Sequence, residues 1–206
     1  NVFVQNFESG LGSNELVSGT FVINNTNAAL NNGTQMMGHP GSTYGNNEYS
    51  YYELAVDLDG FTGNQLEFDY AAHIEAGWDG FNVQASTATI SPPGNLITPA
   101  SGLPYGTLSA GAVSQLGTTA YDSGGVVNTG SAVFDLSAFD GQTVILRLQF
   151  GSDVSVTRPG INIDNLRIRA TGTDGGPPLN QSPTLDAISG LTVQDDAGLQ
   201  TVSFTG

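Results

Sequence analysis

The sequence predicts an all-β sandwich. Short apolar runs alternate with polar residues at period two, and no stretch carries an apolar stripe at helical spacing. Turn-forming residues punctuate the chain throughout, 28 of its 206 residues being Gly. Hydrophobic residues make up 38% of the chain, enough for a packed core at this size.

The strands read off in order. Val2-Phe3-Val4 opens the chain, and Thr20-Phe21-Val22-Ile23 follows. Residues 52–58 come next, with Tyr52 and Leu54 on one face and Tyr51 and Glu53 on the other. Residues 65–70 and 81–85 supply the middle strands. Residues 133–136, 143–150 and 161–168 close the sandwich. Between them, residues 86–132 hold Pro92, Pro93, Pro99, Pro104 and many small residues, which read as long loops with one or two short strands. Residues 1–170 form the first domain, and residues 171–183 (TGTDGGPPLNQSP) read as a Gly/Pro-rich linker. Residues 184–206 contain two strand-like runs, 187–193 and 199–204. They cannot bury a core alone, so they read as the start of a truncated Ig-like domain or as an extra strand for a neighbouring sheet.

Charge narrows the function. There are 19 acidic residues, four Arg and no Lys, for a net charge of −15. Charged residues are only 11% of the chain, so it is depleted in bases rather than rich in acids. Nucleic acid and anionic membranes need clustered Lys and Arg, and both are excluded as partners. No apolar run approaches the ~20 residues of a membrane span, so no membrane insertion is expected. A negative field favours cations, calcium first. With no Cys, disulfides and thiol chemistry are excluded.

The two ends of the first domain point to a metal. Pairing the first and last strands antiparallel, with residue numbers summing to 170, sets Val2 opposite Ile168, Val4 opposite Leu166, Asn6 opposite Asp164 and Glu8 opposite Asn162. Glu8 and Asp164 then lie diagonally adjacent and repel unless a proton or a cation sits between them. Ca²⁺ with added backbone oxygens answers that need. The alternative is a different register, with both carboxylates solvated at a sheet rim. Asp79 shares the phase of Phe81, Val83 and Ala85 and is a third candidate ligand, although Asp79-Gly80 also reads as a plain turn.

Several of these segments resemble a known family. Phe7-Glu8 at the start and residues 163–168 (IDNLRI) at the end look like the bookends of bacterial MAM-like and carbohydrate-binding jelly rolls, of the concanavalin-A-like or galactose-binding-like kind. Residues 66–70 (LEFDY), 77–86 (GWDGFNVQAS), 133–139 (VFDLSAF) with Gly141-Gln142-Thr143-Val144, and 147–153 (RLQFGSD) are similar to the same domains. Such domains stand behind immune inhibitor A type peptidases and in large surface proteins. The resemblance implies a jelly-roll sandwich and a structural calcium on Glu8 and Asp164. It also implies a bacterial, secreted or cell-surface parent chain, with other domains of that chain as neighbours. Where the family has a second Asp, this chain has Asn165. Residues 180–206 resemble the first strands of Ig-like or cadherin-like repeats.

Catalysis finds little support. His39 and His73 are the only histidines. His73 and Glu75 share a strand face, but a surface His beside a carboxylate explains them. No nucleophile elbow, zinc helix or P-loop is present. Sugar binding needs exposed aromatic faces and amide or carboxylate partners for hydroxyls. Trp78 in a Gly-flanked turn is the first candidate platform, followed by Tyr105 and Tyr121 in the long loops. Tyr44, Tyr49, Tyr51 and Tyr52 form a further cluster. The expected function is a non-catalytic, calcium-stabilised accessory module that binds a polysaccharide or glycoconjugate. The alternative is a structural or adhesive spacer that mediates protein contacts or assembly.

Overall fold

A computed structural model describes residues 1–27, 29, 34–87, 95–109 and 113–173. Residues 174–206, which hold most of the expected linker and the whole Ig-like start, lie outside the described residues. The strands are β1 (Phe3–Gln5), β2 (Glu15–Ser18), β3 (Val22–Asn24), β4 (Met36–Gly38), β5 (Tyr49–Asp57), β6 (Phe61–Thr62), β7 (Gln65–His73) and β8 (Gly80–Ser86). Then come β9 (Pro99–Ser101), β10 (Gly106–Thr107), β11 (Thr119–Ala120), β12 (Asn128–Asp135), β13 (Thr143–Gly151), β14 (Gly160–Arg169) and β15 (Gly172–Thr173). Every run read as a strand within residues 1–170 overlaps one of these, and the runs at 187–193 and 199–204 lie outside the described residues. Only two short 3-10 turns interrupt the strands among the described residues.

Two antiparallel sheets face each other. The large sheet has the order β3-β4-β14-β7-β12-β9, with β1 added on β14, and the small sheet has the order β2-β5-β13-β8. Neighbouring strands are mostly far apart in sequence, as in a jelly roll. Alternation places one row of each strand inside. Leu54, Phe81, Leu146, Leu148 and Phe150 from the small sheet meet Leu66, Phe68, Phe134, Ile161 and Ile163 from the large one, all buried. Phe68 stacks on Phe134 within the large sheet at 5.9 Å and meets Phe81 of the small sheet edge-on at 6.3 Å. Gly172–Thr173, within the stretch read as linker, pair with Phe61–Thr62.

The long loop region also folds onto the sandwich. Leu108, Val113, Leu116 and Ala120 form a second small core on the outer side of the small sheet. Gly80 and Gly151 stand opposite each other there. A Cβ on Gly151 would lie 2.2 Å from Val113, and one on Gly80 would lie 2.6 Å from Ala120. The absence of two side chains therefore lets the loop dock.

The first-to-last strand register differs from expectation by one residue. Phe3 pairs with Ile168, Val4 with Arg167 and Gln5 with Leu166. A slip of one exchanges the faces of a strand. Val4 is 59% exposed, and Phe7 is buried at 1% in place of the Val4–Glu8 row. The strand ends at Gln5, and Phe7 turns the chain with a φ of 60°. Aromatic burial decides the outcome: Phe7 packs edge-on against Tyr52 at 5.6 Å, a larger apolar contact than Val4 would provide.

Candidate functional site

Despite the changed register, Glu8 and Asp164 come together. One edge of β14 is shared by β1, at residues 166–168, and β4, at residues 162–163. Asp164 and Asn165 lie in the gap between them. The register against β7 shifts there, and Asn165 has a φ of 50°. Into this gap comes the segment before β4. The Gln35 N–H donates to Glu8 Oε1 at 2.9 Å, and Thr34 Oγ1 donates to Asp164 Oδ2 at 3.2 Å. Burial pushes the Asp164 carboxyl up, and the charges of Glu8 and Asp69 add to that, against the Asn165 N–H and Thr34 bonds that lower it. Beside this gap, Asp69, Ser131, Asp164 and Asn165 line a cleft of about 400 Å³ on the outer face of the large sheet.

A second acidic group forms at the end of the sandwich where β7 and β13 run out into loops and β8 begins. Ligand oxygens of Glu75, Asp79 and Asp153 all lie within 4.8 Å of one another. Asp79 is fully buried, so it is not the exposed turn residue its Asp-Gly pair suggests. Its Oδ1 accepts the Asp153 N–H at 2.7 Å, and its Oδ2 accepts the Tyr44 hydroxyl at 2.6 Å. The Tyr44 oxygen in turn accepts the Glu75 N–H at 3.1 Å. Burial first, then the charges of Asp153 and Glu75, push the Asp79 carboxyl up to about 6, overriding the Tyr44 and Asp153 bonds. Glu75 is raised by burial and by the Asp153 charge, and its Oε2 is buried without a partner. Three carboxylates with an orphaned oxygen fit a hard, oxygen-seeking cation such as Ca²⁺. Asp79 is a ligand candidate from its strand phase, whereas the sequence pattern does not mark Glu75 or Asp153 as ligands. The spacing of Glu75 and Asp79 around one turn was a usable signal, whereas Asp153 comes from a strand end 74 residues away in sequence.

Trp78 sits inside this group, between Glu75 and Asp79, and is 46% exposed. Its turn is pinned: the Gly77 N–H donates to Asp122 Oδ2 at 2.7 Å, and the Gly77 carbonyl accepts the Ser109 N–H at 2.7 Å. The two tyrosines expected as platforms are not free surfaces. Tyr121 is 5% exposed, lies 5.6 Å from Tyr70 and is bridged to Phe81 through the backbone. Tyr105 packs against the core, and its hydroxyl accepts the Val83 N–H at 2.9 Å. Loops rich in Pro and Gly gave no sign that they fold back onto the sheets. His73 hydrogen-bonds the Gly125 carbonyl at 3.0 Å, while Glu75 turns toward Asp79.

No family model matches the sequence, and no curated protein does. Solved structures with a similar chain path exist. The K1 cleaved adhesin domain of Lys-gingipain from Porphyromonas gingivalis W83 aligns at 17% identity and a TM-score of 0.49, over 82% of this chain and 98% of that one. A family 35 carbohydrate-binding module from Clostridium thermocellum aligns at 14% identity and 0.40, over 82% and 97%. A carbohydrate-binding module studied for specific mannan recognition aligns at 13% identity and 0.38, over 82% and 96%. What this chain binds has to be read from its own surface.

Proposed function

We propose that this chain is a non-catalytic accessory module that binds glycan outside the cell, stabilised by calcium, within a larger bacterial surface protein or secreted enzyme. The carrying observation is Trp78: a large aromatic ring offered to solvent on a turn fixed from both sides. A pinned, exposed ring suits stacking on the C–H face of a sugar, because little freedom remains to be lost on binding. Glu75, Asp79 and Asp153 would hold the calcium ion and cancel their mutual repulsion, which also fixes the Trp78 turn. Glu8 and Asp164 form a second pair where a cation would relieve repulsion. The domain boundaries at residues 170 and 183 belong to the same proposal.

One observation favours the adhesive alternative. Val126, Val127, Val154 and Val156 are exposed, on the loops leading into β12 and β14 at the Trp78 end. Such residues also suit protein contacts. Glycan arrays in calcium buffer separate the two readings. Binding by wild type and its weakening in Trp78→Ala are expected; no glycan bound, with self-association through the valine loops, replaces glycan binding by adhesion.

A further inference from the structure

The outer face of the small sheet carries an aromatic patch. We propose that Tyr49 and Tyr51 on this face form a second glycan platform, specific for a neutral oligosaccharide; this rests on the glycan-binding reading above. The two residues alternate outward on β5, both partly exposed, with ring centroids 5.6 Å apart and planes tilted by 50°. Neighbouring side chains on the same face hold them in place. Tyr49 donates to Gln149 at 2.7 Å, Gln149 donates to Asn82 at 2.8 Å, and Asn82 donates to the carbonyls of Leu116 and Thr119. Arg147 lies 4.3 Å from the Tyr51 ring centre and donates to Glu53 through Nε and Nη2 at 3.0 and 2.8 Å.

In the row Glu53–Arg147–Gln84, Gln84 is 1% exposed and its Oε1 has no partner. The loop carrying Leu108, Val113 and Leu116 covers the β8 side, while Leu16 on β2 remains 53% exposed. The rings therefore lie on a half-open face with a wall along one side. Charge selects the occupant. Arg147 is already neutralised by Glu53, the chain carries −15, and no Lys is present, so an acidic glycan meets repulsion and a neutral one does not.

The test is titration of neutral and acidic oligosaccharides found on the arrays into wild type, Tyr51→Ala, Tyr51→Leu and Trp78→Ala, with NMR of the Arg147 side-chain N–H. Expected is a loss of roughly tenfold or more in affinity for a neutral sugar in both Tyr51 variants. Trp78→Ala should retain part of the affinity, and the Arg147 signal should shift on titration in wild type. Full affinity in both Tyr51 variants with an unmoved Arg147 signal overturns the second platform and leaves glycan binding at Trp78 standing. Preference for acidic sugars overturns the stated ligand class. Absence of any binding by wild type overturns both readings.

Discussion

Asp69 and Asp164 stand directly opposite each other on neighbouring strands, on the solvent side of the large sheet. Like charges in that position destabilise a sheet. Donors surround them: Ser131 and Asn165 side chains bond Asp69 at 2.5 and 3.0 Å, and the Asn165 N–H bonds Asp164 at 2.7 Å. Burial first, with the charges of Glu8 and Asp69 added to it, still holds the Asp164 carboxyl up. Asp164→Asn keeps the acceptor and removes a charge. Its unfolding midpoint in chelator is expected to equal or exceed that of wild type at pH 7. A clear fall would mean that protein donors already hold the charge comfortably.

Calcium is expected to raise the thermal midpoint of wild type, and Asp79→Asn is expected to lose most of that response. Binding to the native state alone stabilises by about 2.7 kcal/mol at a hundred times the dissociation constant. Comparing Asp79→Asn with Asp164→Ala assigns the response to one acidic group or the other. A full response in both variants would remove calcium from these sites.

The pH profile has a calculable sign. Asp79 rises from an ordinary 3.8 to about 6 in the fold, so the native state holds a proton that the unfolded chain releases. Without calcium, this group makes stability fall as pH rises from about 4 to about 6. Glu48 behaves in the opposite way. Burial pushes it up, but the His39 hydrogen bond and charge, the Thr20 hydroxyl and the Gly45 N–H outweigh burial and bring it from 4.5 to about 2. Its contribution is present above 4.5 and is lost as pH falls through about 2. Thermal melts in chelator should therefore peak at roughly pH 4–5, and Asp79→Asn should flatten the alkaline side of that peak.

The slipped register makes a sharp contrast at the first strand. Val4→Asp is expected to change stability within about 0.5 kcal/mol, since the residue faces water. Phe7→Ala should cost about 3–5 kcal/mol, because it leaves a cavity against Tyr52. Urea unfolding of the two variants checks it, and the reverse order would restore the register in which Val4 faces inward.

Gly151→Val tests the docked loop. A side chain there meets Val113 and Leu116, so the expected cost is about 1–3 kcal/mol, with faster proteolysis in the stretch around residues 108–116. Unchanged proteolysis would mean the loop does not depend on that close approach.

Alternation made the long strands legible. In β5, β7, β8, β13 and β14 a buried face is specified by every second residue, and Tyr52 and Leu54 point inward while Tyr51 and Glu53 point outward. β2, β4, β6 and the strands of the long loop region were not legible. They have two to four residues, too few for a period to register, and they exist because a longer neighbour offers them a ladder.

The same division applies to the site. Local sequence determined that Trp78 lies on a turn and that Asp79 faces inward from a strand start. It also determined the scarcity of bases that disfavours acidic partners. Tertiary structure decided which carboxylates meet. Asp153 reaches Asp79 because β13 and β8 pair side by side, and Glu8 reaches Asp164 because the segment before β4 bridges them. It also decided that Tyr121 is core and that Gln149 and Asn82 form a polar network beside Tyr49 and Tyr51. A side chain's neighbours across strands depend on register, and register is set by the burial of the whole sandwich rather than by any one run of residues.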